Sequence, residues 1–292
     1  MKVITEKRLL QNYAQHEKAA GRTIGFVPTM GYLHEGHLHL AARARRENDI
    51  VIMSIFVNPL QFGPNEDYES YPRSPKGDER KAEDAGVDVL FIPSAEEMYP
   101  SASTIGMQVL RRTDVLCGRK RPGHFEGVVT VLSKLFHLAL PDRAYFGLKD
   151  AQQVAVVDAL IHDLDFPIEL VPVATVREAD GLAKSSRNVY LTAEERELAP
   201  FVYKSLIEAR SAIEAGERST KKLAEIVESF LFGNTSMKAE YVQVLSYPEL
   251  EKQDSISGRI IIAIAVPFSK ARLIDNLIVD IQEMGDQPCT VQ

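Results

Sequence analysis

Pro28-Thr29-Met30-Gly31-Tyr32-Leu33-His34-Glu35-Gly36-His37 stands between two unlike stretches. Before it, Thr23-Ile24-Gly25-Phe26-Val27 is short and apolar, the pattern of a buried strand. After it, Leu38 and Ala41/Ala42 recur at helical spacing with arginines on the other side, which predicts a helix over 38–48. The decapeptide is therefore a strand-to-helix junction. A helix N-terminus presents unpaired N–H groups and partial positive charge, which suits a phosphate. His34 and His37, three apart, are expected on one face of the first turn. Gly36 between them lets a flat ligand approach the backbone. The chemistry that fits is a nucleotide with its phosphates against the imidazoles. Two rivals are surface histidines and zinc. The zinc-protease pattern is His-Glu-x-x-His, whereas this string is His-Glu-Gly-His with no evident third ligand.

Outward from the junction, strand and helix alternate. Helices are predicted over 5–20, 75–85, 128–139 and 151–162, and strands over 50–57, 87–92, 144–146 and 168–173. The run Ile50-Val-Ile-Met-Ser-Ile-Phe-Val57 is almost unbroken apolar sequence, as expected of a central parallel strand covered on both faces. The alternation predicts an α/β fold, a doubly wound parallel sheet of Rossmann-like type over 1–180. Such sheets bind ligands beyond the carboxyl ends of their strands, where this junction and the Pro/Gly-punctuated loop 58–67 both fall. From about residue 180 the pattern changes to helices over 193–215 and 220–231 and strands over 241–245 and 259–266. A smaller α+β lid domain over 181–292 is expected, with a hinge near Asp180-Gly181.

Bulk properties bound the function. The 292 residues suffice for about two domains. Hydrophobic content of 45% and charged content of 26% are ordinary for a soluble protein. A net charge of −7 disfavours general binding to nucleic acid or anionic membranes. The longest apolar run, Ile260 to Val266, is far shorter than a membrane span. Cys117 and Cys289 form no paired motif, which argues for a reducing compartment. A cytoplasmic protein is expected.

Neither a P-loop nor a Gly-x-Gly-x-x-Gly fingerprint occurs, so the phosphate site must be built otherwise. Gly147-Leu148-Lys149-Asp150 lies at a second strand-to-helix junction, where Lys149 can meet a phosphate as a point charge. Lys184-Ser185-Ser186-Arg187 places two cations and two hydroxyls on a loop at the domain boundary. Each alone also reads as solvated surface; together with the histidine junction they form a set.

That set resembles the nucleotidyltransferase superfamily, and more closely the pantoate–β-alanine ligase family. The resemblance rests on the opening decapeptide and on Phe56-Val-Asn-Pro-Leu-Gln-Phe-Gly-Pro-Asn-Glu-Asp67, Tyr71-Pro-Arg73, Arg121-Pro-Gly-His-Phe-Glu-Gly127, Pro141-Asp-Arg-Ala-Tyr-Phe-Gly-Leu-Lys-Asp-Ala-Gln-Gln153, Ser185-Ser-Arg-Asn188 and Ala271-Arg-Leu-Ile-Asp-Asn276. One departure is Lys184, where the family usually has Met. Its charge either meets the triphosphate or points to solvent.

The resemblance implies condensation of pantoate with β-alanine at the expense of ATP, through a pantoyl adenylate, with release of pyrophosphate and AMP. It implies ATP contacts from Met30, Gly31, Tyr32, Leu33, His34, Glu35, Gly36 and His37, with His37 as proton donor. It adds Gly147, Leu148, Lys149, Asp150 and Val176 around adenine and ribose, and Lys184, Ser185, Ser186 and Arg187 over the triphosphate. His37, His34 and Lys149 form the catalytic set. Gln61 and Gln153 are expected on pantoate, and Gln61 on β-alanine. An amide both donates and accepts, as a hydroxy acid requires. Gln152 is the adjacent rival to Gln153. Arg121 and His124 border the site. Mg²⁺ is expected on the ATP phosphates with no dedicated protein cage, and a homodimer is expected by family habit. Two other classes remain to be distinguished by assay: a nucleotidyltransferase that makes no amide, and a non-enzymatic relative of the tRNA synthetases that binds nucleic acid.

Overall fold

The computed structural model describes residues 1–64 and 66–281. Asn65 of the 58–67 loop and Cys289 lie outside the described residues. Two compact units emerge. The first comprises Met1–Arg111, Arg121–Leu148 and Val156–Val176. The second comprises Arg112–Lys120, Lys149–Ala155 and the described chain from Arg177 onward. The break expected at 180/181 thus compares with one at 176/177, and two earlier segments join the C-terminal unit.

In chain order the elements of the first part are β1 (Lys2–Ile4), α1 (Lys7–Ala19), β2 (Ile24–Thr29), α2 (Glu35–Glu47), β3 (Ile50–Ile55), α3 (Pro75–Asp84), β4 (Val89–Phe91), α4 (Ala95–Met98), α5 (His124–Ala139), β5 (Arg143–Gly147), α6 (Ala151–Asp163) and β6 (Glu169–Val173). Six parallel strands form one sheet in the order β1-β4-β3-β2-β5-β6. From β2 the order runs outward through β3 and β4 on one side and through β5 and β6 on the other. The switch point therefore lies between β2 and β5, where the crevice of a doubly wound sheet opens. Successive strand residues face opposite ways. Val27, Val51 and Met53 join Leu40, Ala41 and Ala44 of α2 in one core. Phe26, on the other face, meets Phe136 of α5 edge-on at 6.3 Å.

The remaining elements are α7 (Ala193–Leu198), α8 (Pro200–Glu214), α9 (Thr220–Thr235), β7 (Tyr241–Ser246), β8 (Arg259–Pro267) and β9 (Arg272–Asp280). The three strands form an antiparallel sheet in the order β7-β8-β9. Its core combines Ile260, Ile262, Ile264 and Val266 with Leu206, Ile213, Leu223 and Val227 from α8 and α9.

Several expectations need correction. The helix over 193–215 is two helices, because Pro200 lacks an N–H and starts α8 as a first-turn proline. β9 extends the second unit by a strand that its polar Arg272, Asp275 and Asn276 hid. β1 is short and exposed, so it carries no apolar signal. The helix after the junction begins at Glu35 rather than 38 and buries Leu40, Ala41 and Ala44, leaving Leu38 half-buried. At Asp180-Gly181, where a hinge is expected, the chain makes a turn. Gly181 takes φ +97° and its N–H donates to the Glu178 carbonyl at 3.0 Å. Among the described residues, no helix is long and apolar enough to cross a membrane.

Candidate active site

His34 is the N-cap of α2, with extended backbone at φ −132° and ψ 175°. Its Nδ1 accepts from the Gly36 N–H at 3.2 Å, and its own N–H donates to Nδ1 of His37 at 3.3 Å. The two rings lie 4.0 Å apart. The pair is therefore a reciprocal capping box built from imidazoles. A nitrogen that accepts carries no proton, so each neutral ring bears its proton on Nε2. Both histidines then have donor character on the ring edge away from the backbone. Gly36 also has a local reason. A Cβ there would sit 2.9 Å from Cε1 of His34, so the glycine makes room for the capping ring.

The chain reaches His34 through a left-handed turn, with Gly31 at φ +88° and Tyr32 at φ +50°. Met30, at the start of that turn, has its sulfur 3.2 Å from the Gln61 side-chain nitrogen. Gln61 ends the short 3-10 turn Pro59–Gln61 and is buried. Asn58 sets it in place. Its side chain is 1% exposed, caps that turn through the Leu60 N–H, and donates to Gln61 Oε1 at 3.1 Å and to the Gly127 carbonyl at 3.0 Å. Tyr99 donates its hydroxyl to Asn58 Oδ1 at 2.9 Å. Burial pushes the Tyr99 phenol well above its usual range, so it stays a neutral donor.

Arg121, just before α5, and His124, its first residue, hold the backbone of Gln61. His124 Nδ1 lies 2.8 Å from the Gln61 carbonyl and Arg121 Nη2 lies 3.3 Å from it. A carbonyl only accepts, so that imidazole nitrogen is protonated. Arg121 also grips Glu66 with two hydrogen bonds, Nε donating to Oε1 at 2.7 Å and Nη2 to Oε2. Burial opposes ionisation of Glu66, but the Arg121 hydrogen bonds and charge outweigh it and hold the carboxyl below its ordinary range.

The second unit carries the other expected residues. Lys149 lies in the 3-10 turn Leu148–Asp150, with Nζ 3.6 Å from the Asp150 carboxylate, and its carbonyl accepts from the Asn276 side chain at 2.9 Å. Gln152 is 6% exposed and fully engaged. Its amide donates to the Arg112 and Val115 carbonyls at 2.8 and 2.9 Å, and its oxygen accepts from the Gly118 N–H at 3.2 Å. Gln153, its neighbour, is half-buried. Lys184 pairs with Glu178 at 2.8 Å. Ser185 caps the turn Ser186–Tyr190 through the Arg187 N–H at 3.3 Å. The buried Asp275 receives both terminal nitrogens of Arg177 at 2.6 and 2.9 Å, with the guanidinium over Tyr203 at 3.5 Å, and this anchors the segment leading to Lys184. Met30 through His37, Gln61, Gly147, Leu148 and Val176 thus belong to the first unit, and Lys149, Asp150, Gln153 and Lys184 through Arg187 to the second. Among the described residues, no three His, Cys, Asp or Glu side chains cluster to hold a metal.

The profile of a family described as Pantoate-beta-alanine ligase matches residues 2–278. The chain belongs to that family. It is 58% identical over 287 residues to the pantothenate synthetase of Geobacillus kaustophilus, covering 98% of this chain and 96% of that one. It is 59% identical over 284 residues to the pantothenate synthetase of Bacillus subtilis, covering 97% and 99%. The crystal structure of pantothenate synthetase from Thermus thermophilus superposes with a TM-score of 0.90 at 44% identity, covering 96% and 99% of the two chains. The pantoate-beta-alanine ligase from Francisella tularensis, solved with beta-gamma ATP and beta-alanine, gives 0.76 at 34%, covering 95% and 97%.

Three residues of this pantoate–β-alanine ligase family member went without a role in the sequence. Asn58 and Asn276 lie inside motif strings, but nothing local tells a capping asparagine from a surface one. An Asn ending an apolar run just before Pro is a fair turn signal. Asp78 reads only as an acid in a helix's first turn.

Proposed function

We infer that this protein joins pantoate to β-alanine with ATP, in pantothenate biosynthesis, through a pantoyl adenylate. Family membership over nearly the whole chain carries that reading. The chemistry needs two displacements. The pantoate carboxylate, already ionised at neutral pH, attacks the α-phosphorus, and the bond to pyrophosphate breaks. The deprotonated β-alanine amine then attacks the acyl carbonyl, and AMP leaves with the electron pair of the acyl–oxygen bond. Neither step needs a nucleophilic side chain; both need positioning and donors toward developing phosphate charge.

The residue roles follow from that demand. His34 and His37 serve as Nε2–H hydrogen-bond donors to the phosphates, at the head of a helix whose N-terminus favours anions. Met30 to His37 wraps the nucleotide, Gly147 to Asp150 and Val176 line adenine and ribose, and Lys149 meets the α-phosphate. Lys184 to Arg187 cover the triphosphate, for which Lys184 must exchange Glu178 for phosphate. Gln61 and Gln153 hold the hydroxy acid, and Gln61 also meets β-alanine. Residues 1–180 act as the ATP and pantoate domain and 181–292 as its lid. Mg²⁺ would belong with the nucleotide, held by phosphate oxygens, and no step above runs through it. We further propose a cytoplasmic homodimer acting on small molecules only, without nucleic acid or membrane partners.

Pantoate-dependent exchange of labelled pyrophosphate into ATP, run without β-alanine, tests the adenylate step. Exchange is expected, with AMP and amide appearing once β-alanine is added. ADP as product, or exchange indifferent to pantoate, overturns the assignment. His37→Ala and Lys149→Ala should each lower the exchange rate by about 10²–10³.

A further inference from the structure

We propose that Asp78 and Lys81, on the first turns of α3, are positioning residues for His37, acting through the 31–34 turn: Asp78 through the N–H groups of Tyr32 and Leu33, Lys81 through the peptide group between Leu33 and His34. The inference rests on the phosphate role assigned above to the His37 imidazole.

The Asp78 side chain is buried, at 2% exposure, and both its oxygens are spent on one turn. Oδ2 accepts from the Tyr32 N–H at 2.8 Å and Oδ1 from the Leu33 N–H at 2.7 Å. Gly31 and Tyr32 are consecutive residues with positive φ, and Tyr32 pays a steric penalty for it. Left-handed turns of this kind gather neighbouring N–H groups into an anion-binding nest, here filled by the chain's own carboxylate. Met30, Gly31, Tyr32 and Asp78 also line a cavity of about 220 Å³.

Lys81 completes the hold. Its ammonium donates to the Leu33 carbonyl at 2.7 Å. That carbonyl and the His34 N–H are the two ends of one planar peptide group. The His34 N–H in turn donates to Nδ1 of His37. Rotation of this plane would break the Lys81 bond and the His37 bond together. α3 therefore sets the orientation of His37 and keeps its proton on Nε2, although neither Asp78 nor Lys81 touches the histidine rings in any bond described above.

The test uses the full-length enzyme with Asp78→Asn, Lys81→Met, His37→Ala and the two double variants Asp78→Asn/His37→Ala and Lys81→Met/His37→Ala. Pantoate-dependent ATP–pyrophosphate exchange gives kcat and KM, and thermal unfolding reports folding. Asp78→Asn is expected to lower kcat at least about tenfold, and Lys81→Met about threefold or more, with KM for pantoate changed less than about twofold. In the His37→Ala background each substitution should cost less than about twofold, because its effect passes through the residue already removed. Full, multiplicative losses in that background overturn the proposal while leaving the histidine role intact. Unchanged kcat in folded Lys81→Met also overturns it, and this exposed position serves if Asp78→Asn fails to fold. Normal exchange in His37→Ala alone would sink the site assignment and this inference with it.

Discussion

Two neighbouring glutamines show how a single residue's role is decided. Gln152 and Gln153 have the same side chain, but Gln152 satisfies three backbone groups of the 112–118 loop. Gln152→Ala would leave those groups unpaired in a buried setting, at a cost of about 2–4 kcal/mol. A drop in the urea midpoint is the expected readout. Gln153→Ala should instead leave the midpoint nearly unchanged and raise KM for pantoate; unchanged kinetics would remove Gln153 from the site. Glu66 gives a pH-dependent case. Its carboxyl is held below the ordinary range in the folded protein, so its stabilising contribution is fully present above the unfolded value of about 4.3 and is lost as pH falls through the folded one. Glu66→Gln should therefore be less stable than the parent at pH 7, with the gap closing as pH falls below the unfolded value and through the folded one. A gap that persists undiminished at low pH would show that the pair with Arg121 does not carry the effect.

At the scale of elements, α5 and the 59–61 turn approach each other at Gly127. A Cβ there would come within 2.5 Å of the Leu60 carbonyl carbon and 2.7 Å of the Gln61 nitrogen, besides the Leu60 oxygen. Nothing flexible stands in the way, since all three atoms are backbone. Gly127→Ala must part the helix from the turn, which also breaks the Asn58 bond to the Gly127 carbonyl. We expect a loss of about 1–3 kcal/mol together with a raised KM for pantoate, as Gln61 shifts. A destabilised variant with unaltered KM would detach Gln61 from pantoate. The same scale shows where periodicity misled. α7 and α8 share one apolar register, so the pattern merged them, and only the missing N–H of Pro200 divides them.

The whole molecule is interleaved along the chain. The second unit draws in 112–120 and 149–155, tied by Leu116 N–H to the Gln243 side chain at 3.1 Å, the Cys117 sulfur to the Tyr241 hydroxyl at 3.3 Å, and Asn276 to the Lys149 carbonyl. A chain ending at Val176 would keep those segments and lose their partners. Such a protein is expected to melt at least about 10 °C lower and to bind a hydrophobic dye at its exposed loops. A cut chain as stable as the parent would mean that those ties contribute nothing.

The amino-acid sequence alone determined the parallel α/β character, the junction at which the histidines lie, and the family, because apolar periodicity and short motifs are properties of some 5–15 consecutive residues. It located Gln61 and Lys149 in their motifs without saying what holds them. Only the tertiary structure decided that Asp78 closes the 31–34 turn, that Asn58 seats Gln61, that Gln152 is spent on a loop, and that two mid-chain segments join the C-terminal unit. Apart from the bond between Asn58 and Gln61 themselves, those choices pair groups tens to more than a hundred residues apart. Which buried donor meets which acceptor is settled by the packed arrangement of strands and helices, and no local pattern records it.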